Sequence, residues 1–234
     1  MGLFDRNIGP MTNFYPAHRR ALATAPDVVL VNGFFTSPRS LDVIVDYLEA
    51  RGLACAVPNL GSLGGAWQTG RVGPAGRMLA AYLASLPVGA RPWLIGHSIG
   101  GMIARHAVQL DRAAPRVKGV MTLGSPHRGT PVALLGVLLG ILSRAPMDIT
   151  PLSKQIRRLN GARWPTGLPL LSIVSTADLL CPVRFGRAEL PGVDDIRNIV
   201  LEGLGHTEMV RTNYVLDAIV RLMEDPDAPV YAIG

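Results

Sequence analysis

Short, nearly uninterrupted apolar runs alternate along this chain with segments of helical length, and that alternation limits the folds open to it more than any other feature. The runs DVVLVNG (27–33), LACAVPN (53–59), PWLIGH (92–97), VKGVMTLGS (117–125), LPLLSIVST (168–176) and IRNIVLEG (196–203) read as strands. Between and after them, 37–52, 76–86, 98–111 and 207–225 read as helices. In the first of these helices Leu41, Ile44, Val45 and Leu48 repeat at the spacing of one helix face, and Gly52 marks its end. Strands apolar at nearly every position are covered on both faces. The expectation is a mostly parallel central sheet flanked by helices on both faces, with functional residues at the carboxyl ends of the strands.

Residues 131–167 break this rhythm. The apolar stretch VALLGVLLGIL (132–142) has no polar face, and Pro131, Pro146, Pro151 and Pro165 divide the remainder into short pieces. A helix without a polar face is buried or covers something apolar. The segment reads as a helical cap or lid insertion around 131–167, or as an extra helix pair packed on the core. The expected organisation is an N-terminal extension over 1–26 and one α/β domain over 27–234. At 11 residues the apolar stretch is too short to span a bilayer, so no transmembrane segment is expected.

The chain of 234 residues carries a net charge of +6, nearly all of it from scattered arginines. Such scatter does not make the clustered basic face of a nucleic-acid binder. Two cysteines, Cys55 and Cys181, are too few for a disulfide framework and read as free thiols. The first twenty residues lack the basic start and apolar centre of an export signal, so a cytoplasmic protein is expected. A processed secreted form would read the same.

Gly96-His97-Ser98-Ile99-Gly100 joins the third predicted strand to the following helix. A G-x-S-x-G pattern in a strand–turn–helix context presents its serine on a sharp turn as a nucleophile. A hydroxyl attacks only when a base takes its proton, and the base needs a carboxylate to orient it. Of the five histidines, His206 in LEGLGHTEM lies after the last strand and is the expected base. His127 in LGSPHRGTP is its rival and reads as a loop-bracing residue; His106 lies in a helix body. Asp178 in SIVSTADLLCPV follows the preceding strand and is the expected acid, ahead of Asp148, Asp194 and Asp195. The oxyanion formed on attack needs two donors. These are expected from the backbone of Ile99 and of Phe34, with Phe35 the adjacent choice. Phe35, His97, Leu135 and Leu138 are expected to line the substrate pocket.

VVLVNGFF, LIGHSIGG, TLGSPHRGTP, TADLLCPV and GLGHTEM occur in the order found in enzymes of the α/β-hydrolase fold, and resemble most the bacterial lipase and esterase branch. The resemblance runs from Asp27 to the C-terminus. It implies Ser98 as nucleophile, Asp178 as acid, His206 as base, and Phe34 and Ile99 at the oxyanion hole. The family usually has His-Gly where this chain has Asn32-Gly33, which implies an altered but working hole. The calcium site or disulfide often found in secreted lipases is not evident, and no metal or other cofactor is implied. The expected activity is hydrolysis of carboxylic esters with an acyl chain, with transient contact of the cap with a lipid interface. An acyltransferase using the same acyl-enzyme and a non-catalytic lipid-binding module are the alternatives.

Overall fold

Strands Val28–Val31 (β1), Cys55–Ala56 (β2), Trp93–His97 (β5), Gly119–Leu123 (β6), Leu170–Ser175 (β7) and Ile196–Leu201 (β8) form one sheet in the order β2-β1-β5-β6-β7-β8, with every neighbouring pair parallel. A small antiparallel hairpin, Ser62–Leu63 (β3) with Trp67–Gln68 (β4), stands apart from it. The computed structural model describes residues 25–230 other than 35, 61, 64–66, 69, 134–144, 191, 192, 194 and 195. Phe35, Leu135, Leu138, Asp194, Asp195, nearly all of the 1–26 extension and most of the apolar stretch 132–142 therefore lie outside the described residues.

Side chains alternate across each strand, so one strand feeds two cores. Val28, Leu30, Trp93, Ile95, Met121 and Leu123 point to the face covered by helices Asp42–Glu49 (α1) and Asn213–Glu224 (α7). Val29, Val31, Leu94 and Val120 point to the other face, covered by Val72–Ser85 (α2), Ile99–Leu110 (α3) and Lys154–Gly161 (α5). Each fully buried Val, Leu or Ile contributes about 1.5–3 kcal/mol of transfer free energy, so both layers are needed to offset chain entropy. Among the described residues no helix is long and apolar enough to cross a membrane.

Three helices begin elsewhere than the pattern predicts; the one expected from Ser37 opens as a 3-10 turn, Pro38–Leu41, and becomes α-helical at Asp42. The helix expected from Gly76 starts at Val72, because the carboxylate of Asp148 accepts the Val72 N–H at 3.0 Å and the Arg71 guanidinium holds that carboxylate at 2.6 Å. A cap from 76 residues away leaves no local trace in sequence. The closing helix, expected from Thr207, starts at Asn213. Before it the Glu208 carboxylate turns back to the N–H of Gly205 at 2.5 Å, and Glu208–Val210 form a 3-10 turn. His206 is thereby left on a loop. Short helices Ala145–Asp148 (α4) and Val183–Gly186 (α6) complete the set.

The described part of the 131–167 segment is tied closely to the body. Ser153 caps α5 by accepting the Ile156 N–H at 3.0 Å. Ile149, Ile156, Leu159 and Trp164 are buried in the same core as α2 and α3.

Candidate functional site

In-register pairing brings the strand ends together. Val31 lies opposite Gly96, His97 opposite Leu123, and Ser175 opposite Leu201. Ser98 follows the end of β5 with φ 56° and ψ −127°, a backbone conformation that a side chain adopts only when the surroundings enforce it. Its N–H donates to the Leu123 carbonyl at 2.8 Å. A Cβ at Gly100 would sit 2.1 Å from the Val31 carbonyl oxygen, and one at Gly96 would sit 2.4 Å from the Gly101 backbone. No residue with a side chain fits at either position, so the two glycines let helix α3 start directly against β1. Ile99 is the first residue of that helix, where backbone N–H groups lack helical partners.

Asp178 is buried beyond the end of β7. One carboxylate oxygen accepts the N–H groups of Leu180 and Cys181 at 2.9 and 2.8 Å, and the other lies 2.7 Å from His206 Nδ1. A carboxylate facing Nδ1 keeps the proton there and leaves the Nε2 lone pair free to accept another. The loop carrying His206 is tied to the end of β7, where Leu204 N–H donates to Ser175 Oγ at 3.0 Å and Gly203 N–H to Thr176 Oγ1 at 3.1 Å.

Phe34 is half-buried in the turn after β1. Asn32 stabilises that turn, its Nδ2 donating to the Thr36 carbonyl at 2.7 Å while Thr36 Oγ1 donates to the Gly33 carbonyl at 2.8 Å. His97, expected against substrate, is buried instead, with its ring centroid 4.7 Å from that of His206 and its Nε2 3.1 Å from the His206 carbonyl oxygen. Burial and the neighbouring His206 push its pKa down to about 4.

His127 is buried and fully engaged. Arg105 NH1 donates to its Nδ1 at 3.0 Å, and its Nε2 lies 2.9 Å from Thr122 Oγ1. Burial and the adjacent Arg105 push its pKa well down. His106 packs in α3 against Asp111, 2.7 Å away. Cys181 and Cys55 are buried free thiols, both pushed up by burial. Among the described residues no group of three histidines, cysteines or carboxylates could hold a metal ion.

Sequence reasoning missed three supporting residues. Arg105 is wholly buried and reaches Gln109, His127, Leu159 and Asn160. Its one visible signal was a lone charge in an otherwise uncharged helix. Thr36 and Gly124 carried no signal at all. A Cβ on Gly124, whose φ is +57°, would stand 2.9 Å from the Asp178 carboxylate.

The family model of the PGAP1-like alpha/beta domain matches residues 77–157. No curated protein matches the chain. Among solved structures, the lipase BlEst2 of Bacillus licheniformis in its mature form is similar with a TM-score of 0.71 and 16% identity, over 86% of this chain and 92% of that one. The monoacylglycerol lipase of Paleococcus ferrophilus is similar with a TM-score of 0.63 and 20% identity, over 86% and 95%. A thermophilic esterase from Thermogutta terrifontis is similar with a TM-score of 0.62 and 18% identity, over 88% and 92%. The fold is the α/β-hydrolase fold. On α/β-hydrolases a catalytic triad runs in the chain order serine, acid, histidine. Ser98, Asp178 and His206 stand in that order, beyond the carboxyl ends of β5, β7 and β8.

Proposed function

We propose that this protein hydrolyses carboxylic esters through an acyl-enzyme on Ser98. The observation that carries the reading is the 2.7 Å contact of His206 Nδ1 with the buried Asp178, at the same edge of the sheet as a serine at positive φ. Ser98 Oγ attacks the ester carbonyl while His206 Nε2 takes its proton. The tetrahedral oxyanion is met by the backbone N–H groups of Ile99 and Phe34. His206 returns the proton to the leaving alcohol, then activates the water that releases the acid. Among the described residues no hydrogen bond joins Ser98 Oγ to His206. Such bonds are often long before substrate binds and tighten in the complex. The lipases and the esterase of similar fold support ester chemistry. The apolar stretch 132–142, with Leu135 and Leu138, supports an acyl chain as the part of the substrate that is covered.

Hydrolysis of p-nitrophenyl esters of graded chain length, measured for the native protein and for Ser98→Ala, tests the proposal. Native turnover with a loss of at least ~10³-fold in Ser98→Ala is expected. Equal turnover by the two, or none by the folded native protein, would overturn it.

A further inference from the structure

The loop that carries His206 is held from two sides, and the two sides are unequal. Toward β7, the strand of the acid, it is tied by the bonds of Leu204 to Ser175 and of Gly203 to Thr176. Toward β5, the strand of the nucleophile, the hydrogen bond that reaches across among the described residues is the one between His97 Nε2 and the His206 carbonyl. β6 lies between those two strands in the sheet. The position of His206 relative to Asp178 is thus set on the β7 side, and its position relative to Ser98 depends on His97.

We propose that His97 is a positioning residue, whose imidazole latches the backbone of His206 to the turn bearing Ser98 and so sets where the base stands relative to the nucleophile. The role rests on the ester-hydrolase reading above. A carbonyl oxygen only accepts, so the His97 proton is on Nε2 and Nδ1 carries a lone pair. That Nδ1 is buried and has no hydrogen-bond partner among the described residues, beside Gly33 of the turn that follows β1. A buried unpaired acceptor is a cost that an apolar ring of the same shape would not incur. Packing alone therefore does not call for histidine here, whereas the bond to His206 does. The ring also has to stay uncharged, because it lies tilted with its centroid 4.7 Å from that of the ring that becomes an imidazolium when Ser98 attacks. Burial, the charge that forms on His206 and Arg211 keep it neutral, against the opposing pull of its bond to the His206 carbonyl and of Asp178.

The test compares native protein, His97→Phe and His97→Gln in ester kinetics and in proton and ¹⁵N spectra of the histidine rings. Phe keeps the ring shape and loses the donor; Gln places an amide N–H near the position of Nε2. In His97→Phe, kcat is expected to fall ~10–100-fold with KM little changed, the scale of a misplacement of about 1 Å. The thermal midpoint should hold or rise, and the downfield proton of His206 Nδ1 should persist. His97→Gln should recover most of kcat. In the native spectrum His97 should be a neutral Nε2–H tautomer that does not titrate above pH 5. Native kcat in His97→Phe, equal losses in Phe and Gln, or a protonated Nδ1 on neutral His97 would overturn the latch. Absence of ester turnover by the folded native protein would overturn the ester reading and the positioning role with it, while the Nε2–H signal would still report the contact itself.

Discussion

His127 and His206 each follow a strand at the carboxyl edge of the sheet, and they are put to opposite uses. His206 turns Nδ1 to a buried carboxylate. His127 turns Nδ1 to a buried guanidinium and Nε2 to a threonine hydroxyl, while its own carbonyl accepts from Asn160 Nδ2 at 3.0 Å. A carboxylate steadies the imidazolium that a general base becomes, and a guanidinium opposes it. His127 is thus a neutral acceptor that helps to solvate Arg105 where no water reaches. The difference lies in the sign of the nearest charge and in whether a ring nitrogen is left free, since both histidines occupy comparable places in the topology.

The largest effect should come from removing the carboxylate or the base. His206→Ala and Asp178→Asn are each expected to lower kcat by ~10³–10⁴-fold. In Asp178→Asn one amide oxygen can still accept from Leu180 and Cys181, whereas an amide N–H facing Nδ1 forces the wrong tautomer on His206. The thermal midpoint should move little compared with kcat. Steady-state kinetics alongside thermal melts would check both, and an Asn variant with native kcat would break the contrast drawn between the two histidines.

The reverse pattern is expected at His127. His127→Leu leaves Arg105 NH1 without its acceptor in a fully buried site, costing ~2–4 kcal/mol of stability. Activity per folded molecule should stay near native. Adding Arg105→Met should recover part of the loss, because removing both partners avoids the unpaired charge. Urea melts of the two single variants and the double variant measure the coupling. Additive losses would mean that the two side chains do not support each other.

The sheet was legible in the chain because uninterrupted apolar runs leave few alternatives, and the Ser98 turn was legible because its glycines are adjacent in sequence. Gly96 and Gly100 announce a close approach, and the structure shows which backbone comes close. What stayed hidden acts across long sequence separations. The Asp148 carboxylate that starts α2 four residues early, the Arg105 strut under His127 and the contact of His97 with His206 each join residues that no local pattern relates. His97, expected to line the substrate pocket, is buried with its ring against that of His206, a contact that sequence proximity to Ser98 does not reveal. Asn32 in place of the usual histidine was legible as a substitution, while its hydrogen bond to Thr36 was not.

The last effect concerns acid stability, and it comes from the buried histidines that are held neutral. Folded His97 takes up a proton only near pH 4, whereas in the unfolded chain it does so near 6.5. Between those values the unfolded state binds more protons, so stability rises with pH and is lost as pH falls from about 6.5 toward 4. A depression of that size corresponds to about 3 kcal/mol for His97. His127 and His106 are also held below their ordinary value, by burial with Arg105 and by burial against the pull of Asp111 respectively, and act in the same direction. Urea midpoints measured from pH 7 to pH 4 should therefore decline steadily, and His97→Phe should show a shallower decline than the native protein. An unchanged slope in that variant would mean that His97 is charged in the folded protein, and a charged ring beside His206 would remove the reason for placing it there.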